Sequence, residues 1–475
     1  FSVYSLYFSK LLNVERITIG NPVLNRSTFS EKNTFGAFIS TVPVVIDYDG
    51  EESFLQRTET LSRNQKTMYR HLKYPYGEIA KNVKEVTGSS EKLYDVIFSY
   101  QNARSNVNTL DVPFEITWIP SNNQLESLMI HITDTNDTGT ISINYDYQTD
   151  VFAEDEIPTM HERIERIMYQ VLNNTNILCK DIEILSLNEK NILLRDFNDT
   201  DHIYNKNATI ISEFEKGVVN HPDIVAVTFG NTHHTYKELN SLANQLANEL
   251  LNNGVKANDI VGILLPRSAE IIISILAILK VGATYMPIEP EYPESRVEFM
   301  IANSKASAII TTEKLKGNII NDSNIILLDS IILDKNIDTK NIEIEHKPDS
   351  LAYIMYTSGT TGTPKAVMIR NYSVINFAES MKRRLNYTSS SDNKVLSVTT
   401  MCFDIFVFEV FPTLLFGLHL VIANEDEQKS PVLLSKLIED EKISKILTTP
   451  SRIQLLFLDS KYLKSLSILK EIILG

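Results

Sequence analysis

Cysteine is nearly absent from this sequence of 475 residues, which contains only Cys179 and Cys402. Two cysteines so far apart exclude a disulfide framework and a cysteine zinc cluster, and we expect no metal site. They suit a reducing compartment, so the predicted location is the cytoplasm. The length predicts two or three domains, each with its own hydrophobic core.

Positive charge is scarce as well. Lys and Arg total 45 against 60 Asp and Glu, and the formal net charge is -15. A protein that binds a phosphate backbone needs the opposite balance of charge. Nucleic acid is therefore not expected as a partner.

Long apolar runs without charge are also missing. Residues 271–279 are too short for a membrane span, which needs about 20 residues. Residues 401–423 are long enough but contain Asp404 and Glu409, and each acid would cost a few kcal/mol inside a bilayer. Both stretches predict buried elements of an α/β core, and no membrane is expected as a partner.

The two ends of the sequence support two further expectations. Residues 1–12 have no basic leader and no small-residue cleavage pattern, so they predict a core helix rather than a signal peptide. The first residue is Phe1, and the sequence stops on the apolar run Ile472-Ile473-Leu474-Gly475. We therefore expect a piece of a longer chain.

Patterns of secondary structure divide the chain into a first segment, residues 1–185, a polar linker, residues 186–208, and a second segment, residues 209–475. The first segment has a helical pattern over residues 157–172 and strand patterns at residues 16–19, 42–46, 93–100, 128–133 and 141–145, with Asn136-Asp137-Thr138-Gly139 as a hairpin turn. In the second segment strands and helices alternate, which predicts a mostly parallel sheet covered on both faces.

The most specific motif runs from Leu351 to Lys365, where an apolar strand leads into small and hydroxyl residues and then a lysine. Glycine lets the backbone approach an anion, amides and hydroxyls donate to phosphate oxygens, and lysine adds charge. A Walker A loop is excluded, because it would need Gly and Ser or Thr where this sequence has Pro364 and Ala366. On chemistry alone, a flexible surface loop is the alternative. The candidate nucleotide-binding residues are Thr357, Ser358, Gly359, Thr360, Thr361, Gly362, Thr363 and Lys365.

The whole string from Leu351 to Lys365 resembles the signature loop of the adenylate-forming superfamily, which includes acyl-CoA synthetases, luciferases and the adenylation domains of nonribosomal peptide synthetases. The resemblance implies ATP as a cofactor and Thr357 and Lys365 as catalytic residues. Mg²⁺ is expected with ATP, since the phosphoryl charge must be neutralised. The family usually has Gly after the lysine, where this sequence has Ala366.

Two further strings, residues 235–247 and 279–293, resemble motifs of the amino-acid-activating branch of this superfamily. Both motifs pack helices on the sheet and turn the chain, so we assign them no catalytic role. The adjacent His233 and His234 have no Asp-Gly after them and no carboxylate or cysteine at ligand spacing. They predict a surface turn rather than a general base or a metal site.

Asp404 lies in the apolar string from Phe403 to Glu409, where an aspartate must be paired, neutralised or functional. In the adenylation domains that this sequence resembles, the aspartate at this position binds the α-ammonium group of an amino acid. In acyl and aryl acid activators the position is generally not acidic. The alternative is a helix N-cap.

Carrying the family's side-chain pocket over by position implies five further substrate-binding residues. All are apolar or small: Ile405, Phe408, Leu447, Ile473 and Gly475. A pocket lined in this way offers no partner for a charged side chain. The resemblance therefore implies a neutral, hydrophobic amino acid as the substrate.

Residues 1–185 resemble the C-terminal half of a condensation domain, which has a chloramphenicol-acetyltransferase-like fold and forms peptide bonds in these synthetases. The matching strings are residues 19–23, 35–43, 71–76 and 94–102. The family's catalytic string His-His-x-x-x-Asp-Gly is absent from this sequence. The predicted fold class is α/β, with this C-terminal lobe followed by the N-terminal α/β subdomains of an adenylate-forming enzyme.

Together the two segments imply a fragment of a nonribosomal peptide synthetase module. Such a module makes aminoacyl-AMP from an amino acid and ATP, and it loads the aminoacyl group onto the phosphopantetheine thiol of a carrier domain outside this chain. We expect the fragment alone to be inactive, since family members supply a ribose-binding acid and a closing lysine from later sequence. The alternatives are a stand-alone acyl-CoA ligase and a non-catalytic remnant of a synthetase.

Overall fold

The computed structural model describes residues 1–101, 125–134, 140–319, 324–331, 333, 334, 337, 339–357, 364–385, 387, 393–457 and 462–475. The chain divides into two compact units, Phe1–Asp201 and His202–Gly475. Both units combine helices with sheets, in agreement with the predicted α/β class. The predicted hairpin turn Asn136-Asp137-Thr138-Gly139 lies outside the described residues.

The first unit is built on one mixed sheet with the strand order β2-β1-β3-β4-β5. Its strands are β1 (Arg16–Val23), β2 (Ser40–Asp47), β3 (Val96–Gln101), β4 (Leu128–Thr133) and β5 (Ser142–Tyr147). The outer pairs β1/β2 and β4/β5 are antiparallel, and β3 is parallel to both of its neighbours. Its helices are α1 (Ser2–Leu12), α2 (Phe29–Lys32), α3 (Phe54–Met68), α4 (Tyr76–Thr87), α5 (Glu156–Asn173) and α6 (Leu187–Leu194).

Helices α1 and α5 cover the sheet of the first unit with their apolar faces. The three- and four-residue spacing predicted for α5 is confirmed, because Ile157, Met160, Ile164, Ile167 and Val171 are all buried. They share a core with α1 and with Ile19, Ile46 and Leu128 of the strands. Leu172, which the pattern also included, is exposed.

Helix α6 lies in the stretch of residues 186–208 predicted to be a linker. It begins in a capping box between Ser186 and Glu189. Arg163 of α5 donates to Glu189 at 2.6 Å, so this helix is bonded to the first unit. The predicted domain bounds remain predictions.

The second unit contains two sheets of six strands each, with the orders β11-β10-β8-β9-β12-β13 and β17-β16-β14-β15-β6-β7. We call them the second and third sheets. Each is parallel except for one antiparallel edge strand, β13 or β7. The strands are β6 (Val225–Phe229), β7 (Thr232–Thr235), β8 (Ile260–Ile263), β9 (Thr284–Pro287), β10 (Ala308–Thr311), β11 (Asn324–Leu327), β12 (Leu351–Thr357), β13 (Lys365–Arg370), β14 (Lys394–Ser397), β15 (His419–Ile422), β16 (Lys445–Thr448) and β17 (Glu471–Leu474).

One hydrophobic core joins the second and third sheets through the helices packed on them. The helices of this unit are α7 (Ile210–Asn220), α8 (Tyr236–Asn252), α9 (Ala269–Lys280), α10 (Glu294–Ser304), α11 (Asn371–Arg384), α12 (Asp404–Leu415), α13 (Glu425–Lys429), α14 (Pro431–Asp440), α15 (Pro450–Phe457) and α16 (Leu463–Leu466). Capping boxes that begin at Thr209 and Thr235 start α7 and α8.

The two apolar stretches considered as membrane spans are buried elements of this unit: residues 271–279 lie in α9, and residues 401–423 contain α12 and β15. Helix α9 is buried along almost its whole length, and α12 is buried from Phe406 onward except for Phe408. Among the described residues, no helix is both long enough and apolar enough to cross a membrane.

Candidate functional site

The carboxyl ends of the parallel strands in the second and third sheets are tied to each other by Arg267. This residue follows β8, and its guanidinium donates to the carbonyl of Ser397 at the end of β14 and to that of Ala423 after β15, both at 2.6 Å. In open α/β sheets, ligands bind at the carboxyl ends of the strands. A ligand site is therefore expected where these two sheet edges meet.

The predicted phosphate loop connects β12 to β13 at this edge. Thr357 is the last residue of β12 and Lys365 is the first residue of β13, and they lie opposite each other in the antiparallel register. Both side chains are exposed. Ser358, Gly359, Thr360, Thr361, Gly362 and Thr363 lie outside the described residues, and their predicted roles stay predictions.

A cavity of about 930 Å³ lies beside Thr357. Its walls come from β12, β13, α10, α11 and the start of α12, and most of its lining residues are aromatic or aliphatic. The charged side chains among them are Arg296 and Asp404. Burial raises the pKa of Tyr292 and of Tyr353 to about 12, so both hydroxyls are neutral at pH 7.

Asp404 is the first residue of α12, after Phe403 as the cap residue. The apolar string was expected to bury it, but the helix turns Phe406 and Val407 into the core and leaves Asp404 exposed at the cavity. Within the described part of the chain, its carboxylate has no hydrogen bond or ion pair.

The five residues predicted to form the side-chain pocket come together in space. Ile405, Phe408, Leu447 and Ile473 belong to one hydrophobic cluster, and a methyl group placed on Gly475 would lie 3.9 Å from Cδ1 of Ile405. Of the five, Phe408 also lines the cavity. The structure therefore places the predicted residues around one point, and their contact with a substrate stays a prediction.

Phe377 of α11 is a cavity residue that the sequence did not indicate. Its ring lies 4.0 Å from the ring of Phe408, measured between centroids, and both rings line the cavity. A phenylalanine in the helical pattern of α11 looks like any core residue, so no local signal distinguishes it.

Glu409 was also missed, although it lies five residues after Asp404 on α12. It is fully buried and accepts hydrogen bonds from the hydroxyls of Ser397 and Thr399, at 2.6 and 2.8 Å, and from the amides of Val398 and Thr399. Burial raises the pKa of Glu409, while the charge of Arg267 and these donors oppose the shift. Burial also lowers the pKa of Arg267 to about 10, so that side chain remains charged at pH 7.

The predicted surface turn at His233 and His234 is wrong. Both residues lie in strand β7, where His234 is buried. Nδ1 of His233 lies 2.8 Å from the hydroxyl of Thr228, and Nε2 of His419 lies 2.7 Å from the same hydroxyl. The two histidines lie in a sheet because β7 pairs with β6, and the sequence pattern did not indicate this pairing.

Two protein families match this chain. The AMP-binding enzyme family matches residues 214–475, and the condensation domain family matches residues 1–194.

Curated relatives match nearly the whole chain. Gramicidin S synthase 2 of Brevibacillus brevis is 30% identical over 481 residues, and tyrocidine synthase 3 of Brevibacillus parabrevis is 30% identical over 462 residues. These matches cover 100% and 96% of this chain but 11% and 7% of the relatives. The chain thus spans a small part of the proteins to which it is similar.

Solved structures of the same architecture match as well. A crystal structure of a four-domain nonribosomal peptide synthetase bound to AMP and glycine has a TM-score of 0.83 at 20% identity, covering 99% of this chain and 38% of that one. The synthetase FmoA3 bound to AMPPNP has a TM-score of 0.77 at 19% identity, covering 98% of this chain and 50% of that one. At this identity the likeness shows the fold.

Proposed function

The chain belongs to the AMP-binding enzyme family, in the order of condensation then adenylation found in nonribosomal peptide synthetases, and we propose that its second unit activates an amino acid with ATP. The carboxylate of the amino acid attacks the α-phosphorus in line, a new P–O bond forms, and the bond to pyrophosphate breaks. The products are aminoacyl-AMP and pyrophosphate.

The observation that carries this proposal is the free carboxylate of Asp404 in the same cavity as Thr357. A carboxylate without a protein partner can bind an ammonium group, and an α-amino acid brings one next to its reacting carboxylate. The role of Asp404 is to orient the substrate so that this carboxylate points to the phosphate loop. Thr357 and Lys365 are proposed to hold the phosphates from the two sides of the loop.

The cluster around Leu447 supports specificity for an amino acid substrate with a neutral, hydrophobic side chain. Ile405, Phe408 and Ile473 pack in it with Leu447, and all four are apolar. A charged substrate side chain in this place would lose its hydration without gaining a partner.

The proposal has further parts besides the reaction in the second unit. Mg²⁺ would enter with ATP as the counter-ion of the triphosphate. The aminoacyl group would pass to a phosphopantetheine thiol on a carrier domain, and the first unit would belong to peptide-bond formation. A cytoplasmic location stays a prediction from the low cysteine content.

The test is a panel of amino acids and their des-amino analogues in ATP–pyrophosphate exchange, with the intact protein and its Asp404→Ala variant side by side. We expect exchange with one or more hydrophobic amino acids and a large loss in the variant. A wild-type protein that prefers the des-amino compounds would instead be an acyl ligase. A variant that keeps full activity would remove Asp404 from the site.

A further inference from the structure

Arg296 of α10 is a charged residue that lines the cavity, and the reaction proposed above assigns it no role. Its side chain is half-buried and lines the cavity together with Thr357 and Asp404. The guanidinium carbon lies 4.1 Å from the centroid of the Tyr292 ring. Its Nε is buried without a hydrogen-bond partner, and no carboxylate of the described residues pairs with it.

Other arginines of the chain have the hydrogen-bond or ion-pair partners that Arg296 lacks. Arg267 donates to the carbonyls of Ser397, Thr399 and Ala423. Arg163, which is also partly buried, pairs with Glu189. A partly buried guanidinium without such partners is unfavourable, because its lost hydration is not replaced by protein groups.

The stacking on Tyr292 adds a second observation. A guanidinium that lies on an aromatic ring is held in one plane, and its remaining N–H groups form a fork that matches the oxygens of a phosphate or carboxylate. Tyr292 also lines the cavity, so the pair is part of the cavity wall. This arrangement is that of a preformed oxyanion site.

We propose that Arg296 binds the phosphate oxyanions of the nucleotide in this cavity, both in ATP and in the pyrophosphate that leaves. Thr357 lines the same cavity and leads directly into the predicted phosphate loop, which favours phosphate over the substrate carboxylate. The identity of the ligand rests on the proposed function, whereas the oxyanion site does not. Arg296 lies three residues after the motif of residues 279–293, to which the sequence assigned only a structural role.

The test compares Arg296→Ala and Arg296→Lys in the intact protein with Arg370→Ala as the matched control. Arg370 is an exposed arginine that pairs with Asp349, and it lies at the other end of β13 from Lys365. Calorimetry measures the binding of inorganic pyrophosphate and of MgATP without any amino acid. Exchange kinetics measure the KM values for ATP and for the amino acid.

We expect Arg296→Ala to weaken pyrophosphate and MgATP binding by roughly ten- to a hundredfold, since one charge-assisted contact is lost. The KM for ATP should rise and that for the amino acid should not. Arg296→Lys should restore binding in part, because lysine keeps the charge and loses the fork. Arg370→Ala should bind like the wild type.

Unchanged pyrophosphate and ATP binding in a folded Arg296→Ala variant would overturn the inference. A rise confined to the KM of the amino acid would overturn it too, because the ligand would then be the substrate carboxylate. Arg296→Gln retains much of the side-chain length and serves as the test if the alanine variant does not fold. If Arg296 is needed for pyrophosphate binding but the wild type activates no amino acid, the inference stands and the proposed function fails.

Discussion

Two neighbouring regions of the second unit use the same pair of residue types in opposite ways. In the buried junction, Arg267 and Glu409 are surrounded by donors and acceptors at the ends of β8, β14 and β15. Arg296 and Asp404 both line the cavity, yet neither has an ion-pair partner among the described residues. Both regions lie at the carboxyl edges of the sheets.

Charged groups that have protein partners stabilise the fold, whereas charged groups without such partners can bind a ligand. A buried ion must find its compensation inside the protein, because removal from water costs several kcal/mol. A charge in an open cavity keeps part of its hydration and can exchange it for a ligand. The comparison predicts that changes in the junction affect stability, whereas changes in the cavity affect activity.

The largest effect is expected from Glu409→Ala. Loss of the buried carboxylate leaves the donors of Ser397 and Thr399 unsatisfied and Arg267 without its counter-charge, which should destabilise the protein by about 3 to 5 kcal/mol. Urea or thermal unfolding measures this. Asp404→Ala, on the same helix, is the matched control and should leave the unfolding free energy nearly unchanged. Equal losses in the two variants would contradict the comparison.

Acid should weaken the same unit through His419. Burial, with a contribution from Lys394, lowers the pKa of His419 to about 4, against about 6.5 in the unfolded chain. The unfolded state therefore binds the proton first as pH falls, and stability present above pH 6.5 is lost progressively down to pH 4. The loss should reach about 3 kcal/mol.

The measurement is the unfolding free energy between pH 4 and pH 7 for wild type and His419→Gln. The difference between them should shrink as the pH falls, because glutamine does not titrate. His202, an exposed histidine, supplies the control substitution His202→Gln, which should follow the wild type. A parallel pH profile for His419→Gln and wild type would exclude His419 as the titrating group.

Asp404→Ala should reduce kcat/KM for the amino acid by roughly ten- to a hundredfold, the value of a charge-assisted contact that remains partly hydrated. The reason is that the ammonium group loses its partner while the cavity keeps its shape. Exchange kinetics with the intact protein provide the measurement. If the variant loses activity and its unfolding free energy falls by a corresponding amount, Asp404 would instead have a structural role.

Lys365→Ala should lower kcat/KM for ATP by roughly tenfold, because one exposed phosphate-facing charge is removed. Lys256→Ala removes another exposed lysine, which lies before β8, and is the control. An unchanged kcat/KM for ATP in Lys365→Ala would return the loop to the interpretation of a plain surface segment.

The smallest effect concerns the aromatic wall. Phe377→Ala removes the ring that stacks on Phe408, a contact worth about 0.5 to 1.5 kcal/mol, and enlarges the cavity. We expect a preference shifted by a few-fold toward larger hydrophobic amino acids in the exchange panel. Phe457→Ala, at an exposed helix end, should keep the wild-type order of preference.

Much of the fold was predictable because its signals are local. The apolar spacing in α5 and the strand that ends at Thr357 each depend on neighbours within a few residues. The candidate loop and Asp404 were found in the same way, from motifs that are continuous in the sequence. These features belong to the sequence itself.

Other features were decided only by tertiary packing. The sequence does not reveal that Glu409 is locked to Ser397 and Thr399 while Asp404, on the same helix, is left free. Nor does it show that Arg267 is saturated and Arg296 is not, because each depends on which strand ends approach its guanidinium. A charge is compensated or left available by groups that are distant along the chain, and their meeting is set by the packing of two sheets.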